Sequence, residues 1–248
     1  MSQAEETEFK ISGSFYETQL GDVAQATQAC VAETLENRRE SLGAVHQIDS
    51  DFGTWIAEVN GPVRSQLESA RRELAFSQYC VASGLYRQAY VGLRLFLELT
   101  FAAVYFSVNE FERRRWMSDR SDFSWSAALS SDGGVLSRSF VQEFFPSMAE
   151  AALTYSKDAE ASYRHCSQFV HGKDRVSRLI PDTIEFSGEV LDDWCETAHK
   201  ASISALFLLF VRYGIELDAR ENQNLSDVLV GNFSHLSGIR EYVGLTGN

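Results

Sequence analysis

An arginine and a histidine that could together handle a phosphate lie seven positions apart in a polar, helix-like stretch. At about 100° per residue, Arg164 and His171 fall on nearly the same face of a helix, with Ser167 and Gln168 between them. A guanidinium binds an anionic phosphate, and an imidazole exchanges protons near neutral pH. A second set of residues has the spacing of a buried seam and places this polar stripe at the edge of the core: Ala159, Tyr163, Cys166 and Val170.

The helix is expected to stop at His171, because Gly172 suits the left-handed residue that closes a helix. The carbonyl end of a helix favours a cationic imidazole, which would let His171 act as an acid. At about 1.5 Å per residue, however, Arg164 and His171 lie roughly 10 Å apart along the axis, so one copy is a poor clamp for a single phosphate. Two such helices across a two-fold axis would bring His171 of one protomer to Arg164 of the other. We therefore expect a homodimer with a composite site.

This stretch resembles the Arg-(polar)-x(3–5)-His motif of the HEPN superfamily, small helical proteins that include metal-independent ribonucleases of toxin, CRISPR-associated and phage-defence systems. Arg164, His165 and His171 match the motif residue by residue. The run Tyr-x-x-Cys-Ser-x-Phe-Val-His-Gly is also similar to the ending of this segment in prokaryotic branches of the family. The resemblance extends over roughly residues 63–212 and leaves the N-terminal and C-terminal segments outside it.

The resemblance implies an endoribonuclease in which Arg164 stabilises the scissile phosphate and His171 moves protons to and from the ribose 2′-oxygen and the leaving group. His165 would support orientation. No metal or cofactor is expected, because the 2′-hydroxyl of the RNA is itself the nucleophile, and the products would carry 2′,3′-cyclic phosphate ends. The implied setting is phage defence or a toxin-like stress response. The predicted substrate-binding residues are Ser167, Gln168, Lys173 and Arg175.

The alternative is a non-catalytic HEPN-like interaction module that binds a regulatory protein partner. The formal charge of -13 is unfavourable for a protein that coats nucleic acid, since phosphate binding draws on clustered Lys and Arg. Positive charge is instead local to the motif: between Arg164 and Arg178 the sequence adds Lys173 and Arg175, and Asp174 is the one acidic residue there. Another basic run, residues 113–115, is flanked by glutamates and is typical of a solvated helix end.

Composition predicts an all-α fold and a cytoplasmic protein. Only 3 Pro and 16 Gly interrupt 248 residues, of which 44% are hydrophobic. The four cysteines form no Cys-x-x-Cys pair, which fits reduced thiols. The acidic start, residues 1–8, lacks the order of a secretion signal, and the apolar run from Leu93 to Phe106 is too short to span a bilayer, so no membrane segment is expected.

Turn chemistry at Asn60-Gly61-Pro62 divides the chain into an N-terminal helical arm, residues 1–60, and an HEPN-like helical bundle with a C-terminal tail, residues 61–248. At most a short β-like excursion is expected near 179–186. The strongest helices are predicted from Tyr86 to about Phe106 and from Leu191 to Arg212.

The first of these helices carries Arg94 and Glu98, which are four positions apart, as in an Arg-x-x-x-Glu pair of HEPN bundles. We expect Arg94 and Glu98 to pair with each other, or Glu98 to be buried where it orients a basic group from elsewhere in the chain.

A zinc site is the rival interpretation of the histidines and cysteines. Cys195 and His199, four apart on a helix, could join Cys166 and His171 as four ligands. Zinc ligands usually come as close pairs on turns, however, and buried cysteine is commonly a small core residue. We therefore predict no metal.

Overall fold

A computed structural model describes residues 13–245, so the acidic start, residues 1–8, lies outside the described residues. This part of the chain contains α-helices and one 3-10 turn, Pro146–Met148, and no strand, which confirms the predicted all-α fold. The helices are α1 Gly13–Asn37, α2 Arg39–Glu58, α3 Pro62–Ala82, α4 Tyr86–Val108, α5 Glu110–Met117, α6 Trp125–Ala128, α7 Arg138–Phe144, α8 Ala152–Val170, α9 Asp174–Ser177, α10 Gly188–Tyr213, α11 Gln223–Phe233 and α12 Ser237–Tyr242.

The core is built on α4 and α10, the two helices predicted to be strongest. Both pack against α8, and α10 also packs against α2, so these helices surround one hydrophobic centre. α10 is apolar on all sides near its end, and every residue from Leu206 to Val211 is fully buried. It begins three residues before the predicted Leu191, because the Ser187 hydroxyl caps the helix by accepting from the Val190 amide at 3.5 Å.

α4 is also the one described helix that is long and apolar enough to cross a membrane, by length and composition only. It has 23 residues and a mean hydropathy of 1.6, but 56% of the apolar stretch is buried inside the bundle. The core helix of a globular protein has the same properties.

The two helices before residue 60 differ in their packing. α2 buries Phe52 and Trp55 completely in the common core, whereas α1 is exposed throughout residues 15–25 and contacts the body near its end, through Cys30 and Thr34. The Thr34 hydroxyl donates to the carbonyl of Ala82 at 3.2 Å. The turn before Pro62 therefore separates two helices that share a core. Only α1 has the form of an arm, and the division into domains stays a prediction.

The segment expected to be β-like, 179–186, is irregular and pairs with no strand in the part of the chain described. It is held by Tyr86 instead: the Tyr86 hydroxyl donates to the Glu185 carbonyl at 3.1 Å and accepts from the Ser187 amide at 2.6 Å. The C-terminal segment also packs on the core, since α11 and α12 bury Leu229, Phe233 and Ile239.

Candidate functional site

The helix that carries the motif, α8, ends as the sequence predicted. Its last helical residue is Val170, His171 is the cap, and Gly172 takes the left-handed conformation with φ +59°. Arg87 of α4 donates from Nη1 to the carbonyl of Phe169, so a cation satisfies one of the free carbonyls at the helix end.

A three-residue network fixes the middle of α8 against α4. The Tyr163 hydroxyl accepts from Arg94 Nη2 at 2.7 Å and donates to Glu98 Oε1 at 2.7 Å. Arg94 and Glu98 also pair directly at 3.1 Å, which confirms the predicted i, i+4 contact. The Tyr163 ring stacks on Trp125 with a centroid distance of 4.2 Å. This side of α8 is therefore held against α4 and α6, and the opposite side faces α10.

On the side facing α10, His165 Nε2 lies 2.6 Å from Oδ2 of Asp193. The buried Tyr90 of α4 donates its hydroxyl to the same carboxylate oxygen. An ionised carboxylate can only accept, so Nε2 of His165 carries a proton, and Nδ1 is the ring nitrogen available to exchange a second proton. The Tyr90 ring stacks on Phe169 at 3.6 Å, and the His165 ring meets both rings edge-on. Aromatic packing and a carboxylate thus orient the imidazole of His165.

The ionisation states of this cluster follow from its contacts. Burial opposes the charge on Asp193, but hydrogen bonds from His165 and Tyr90, with the nearby charge of Arg175, outweigh it and lower the pKa of the carboxyl. Burial, together with the hydrogen bond to Asp193, raises the pKa of Tyr90, so its hydroxyl stays protonated as a donor.

An open cavity of about 340 Å³ lies between α8 and α10 beside this cluster. We call it the motif cavity. Ser162 lines it with a hydroxyl that has no protein hydrogen-bond partner among the described residues, although the residue is only 3% exposed. Its charged and polar lining also includes Arg164, His165, Gln168, Asp193, Glu196 and Lys200.

The two cations that line the motif cavity, Arg164 and Lys200, are each paired with a glutamate of their own helix. Arg164 Nη2 lies 2.7 Å from Glu160, and Lys200 Nζ lies 2.6 Å from Glu196. Both pairs are largely exposed, and such pairs contribute little to stability. Either cation can therefore turn to an incoming anion at small cost.

The structure separates the predicted site residues into two groups. Arg164, His165 and Gln168 line the motif cavity together. Ser167 instead donates its hydroxyl to the carbonyl of Tyr163 at 2.7 Å, and the exposed His171 does not line this cavity.

Lys173 and Arg175 lie beyond the helix end and are exposed. Arg175 is close enough for its charge to act on Asp193. The composite site that would use His171 stays a prediction.

Sequence reasoning missed Asp193 and Tyr90. Asp193 was part of an acidic stretch, 182–196, and Tyr90 was one aromatic residue in an apolar helix. The two residues are more than a hundred positions apart, so no local spacing could have joined them.

The rival zinc ligands are not brought together. No group of three or more His, Cys, Asp or Glu side chains that could hold a metal ion occurs within residues 13–245. Cys166 and Cys195 are buried thiols, and burial raises the pKa of Cys195 to about 12. Both therefore have the properties of core residues.

Comparison with known proteins adds no relative: no family model, no curated protein and no solved structure matches this chain. The resemblance to HEPN proteins therefore stays an expectation from the two sequence patterns, the motif and the Arg94–Glu98 pair.

Proposed function

We propose that the protein is a metal-independent endoribonuclease whose chemistry takes place in the motif cavity. One observation carries this proposal: Arg164 and an imidazole already oriented by a carboxylate, His165, line the same open cavity. A cation beside an oriented acid–base group is what phosphodiester cleavage by an internal hydroxyl requires.

In the proposed reaction, Nδ1 of His165 takes the proton of a ribose 2′-hydroxyl. The 2′-oxygen then attacks the adjacent phosphorus, the bond from phosphorus to the 5′-oxygen breaks, and a 2′,3′-cyclic phosphate forms. Arg164 neutralises the charge that develops on the phosphate oxygens. The leaving 5′-oxygen must take up a proton. The predicted donor is His171 of the second protomer in a homodimer, because His171 of the same protomer does not line this cavity.

The test is cleavage of a labelled single-stranded RNA by purified protein in excess chelator. We expect cleavage with cyclic phosphate ends, and no cleavage where the 2′-hydroxyl is replaced by hydrogen. His165→Ala should lower the rate by about 10²- to 10⁴-fold, the usual contribution of general acid–base catalysis.

Matched controls come from the same chain. Arg64 forms an i, i+4 ion pair with Glu68, as Arg164 does with Glu160, and His46 is exposed on α2. Arg64→Ala and His46→Ala should cleave as the wild type does. Cleavage that survives both Arg164→Ala and His165→Ala would reject the proposal.

The alternative, a non-catalytic interaction module, is favoured by the exposed face of α1. Tyr16, Leu20 and Val23 continue the face that is buried further along at Cys30 and Thr34, but they are 47–59% exposed. A free helix of about 12 residues is marginal in water, so this face would gain stability from a protein partner. Under this alternative, any growth arrest in cells survives His165→Ala and is lost with Leu20→Asp.

A further inference from the structure

A second cavity, of about 520 Å³, continues the groove between α8 and α10 toward the connection of α11 and α12. We call it the distal cavity. Lys200 lines both cavities. The hydrogen bond from Lys200 to Glu196, together with the nearby charges of Asp158 and Asp193, raises the pKa of the lysine. A ligand that reached from one cavity into the other would pass this ammonium group. The lining of the distal cavity includes Ala151, Asp158, Ile203, Asn232, His235 and Leu236.

Asp158 is the notable group in the distal cavity. It precedes His165 by seven positions on α8, so it lies on nearly the same helix face, roughly 10 Å away along the axis. The residue is partly buried, yet its carboxylate has no hydrogen bond or ion pair to any other described residue. A partly desolvated carboxylate without a donor is costly, and two donor groups from a ligand would offset that cost.

The other polar groups of the distal cavity are partly committed. Asn232 donates its amide nitrogen to Asp51 at 2.7 Å and to the Val228 carbonyl at 2.9 Å, which leaves its amide oxygen free to accept. His235 Nε2 lies 3.3 Å from the Tyr155 hydroxyl. Beside the donors Lys200, Thr154 and His199, the cavity therefore offers two acceptors, the carboxylate of Asp158 and the amide oxygen of Asn232.

We propose that the distal cavity binds the base of a nucleotide next to the cleaved bond, and that this base is guanine; the inference rests on the proposed ribonuclease function. Guanine presents two adjacent donors, N1–H and the 2-amino group, that match the two oxygens of a carboxylate. On the same Watson–Crick edge, adenine, cytosine and uracil each place an acceptor beside their donor. A carboxylate oxygen repels that acceptor. Ala151, Ile203 and Leu236 line the cavity and would supply apolar contacts for the ring. Lys200 would then contact the intervening phosphate.

The experiment measures binding separately from cleavage. Short oligonucleotides of otherwise uniform uridine carry one guanosine, inosine or adenosine, and every 2′-hydroxyl is replaced by hydrogen so that no linkage can be cleaved. Affinity is read by fluorescence anisotropy. We expect the guanosine oligonucleotide to bind on the order of 10- to 100-fold more tightly than the adenosine one, as for a bidentate base contact. Inosine lacks the 2-amino group and should fall between them.

Asp158→Asn should reduce the preference for guanosine to a few-fold, because it weakens binding of the guanosine oligonucleotide and removes the carboxylate charge that repels adenine, so the affinity for the adenosine oligonucleotide should not fall. Asp227→Asn, on the exposed part of α11, is the matched control and should keep the preference. Equal binding of the guanosine and adenosine oligonucleotides, or a preference that Asp158→Asn does not reduce, would overturn the inference. Guanosine-selective binding without cleavage of the corresponding all-ribose RNA would reject the ribonuclease function and leave the base site standing.

Discussion

Replacing Tyr90 with phenylalanine removes the hydroxyl that donates to Asp193 and keeps the ring that stacks on Phe169. A hydrogen bond to a charged group typically contributes about 1.5–3 kcal/mol. The Asp193 side chain is 46% exposed, so water replaces part of the lost bond. We therefore expect Tyr90→Phe to lower the free energy of unfolding by about 1–1.5 kcal/mol at neutral pH.

The pH dependence of this loss distinguishes the hydrogen bond from a packing effect. Burial alone would raise the pKa of Asp193, but its hydrogen bonds hold the pKa in the folded protein below the ordinary 3.8. The ionised carboxylate therefore stabilises the fold above pH 3.8. This contribution disappears as pH falls through the folded pKa, because the carboxyl is then protonated in both states. The difference between wild type and Tyr90→Phe should therefore shrink in acid.

The assay is urea unfolding at neutral pH and again below the ordinary aspartate pKa of 3.8. Tyr79→Phe is the control: Tyr79 is 62% exposed, its hydroxyl has no hydrogen bond to the described residues, and its loss should change stability by less than about 0.5 kcal/mol. Equal stability of wild type and Tyr90→Phe at neutral pH would refute this account of the cluster, as would a difference that persists undiminished in acid.

Three further changes test the elements that position the site, each by urea unfolding. Glu98→Ala leaves Arg94 without its carboxylate and should cost about 1–3 kcal/mol, whereas an unchanged stability would mean that the network is not formed. Gly172→Ala places a Cβ in the left-handed region at φ +59° and should cost about 1–2 kcal/mol; no loss would contradict the helix end described. Trp55→Ala should cost about 3–5 kcal/mol, while Leu20→Ala on exposed α1 should cost little, and similar losses would contradict the packing of α2 in the core.

The parts of the site that could be predicted from sequence are those set by local geometry. The end of α8 depends on one glycine, and the pairing of Arg94 with Glu98 depends on a spacing of four along a single helix. The face shared by Arg164 and Gln168 follows in the same way from the helical repeat. Each of these features involves residues within one turn or two of each other.

The features that escaped prediction depend on contacts between distant helices. His165 was expected only to support orientation, and its position against Asp193 and Tyr90 arises because α4, α8 and α10 pack on one another. The packing of α2 in the core did have a signal in the sequence, since Val45, Ile48, Phe52 and Trp55 have the spacing of one buried helix face.

The central claim, that the imidazole of His165 performs the proton transfer, is tested most directly by chemical rescue. The single-turnover cleavage rate of a labelled RNA is measured in chelator for wild type and for His165→Ala, with increasing free imidazole. We predict that His165→Ala is slower by about 10²- to 10⁴-fold and that imidazole restores part of the rate in proportion to its concentration. A wild type that leaves the RNA intact, or a His165→Ala variant that cleaves at the wild-type rate, would contradict the account.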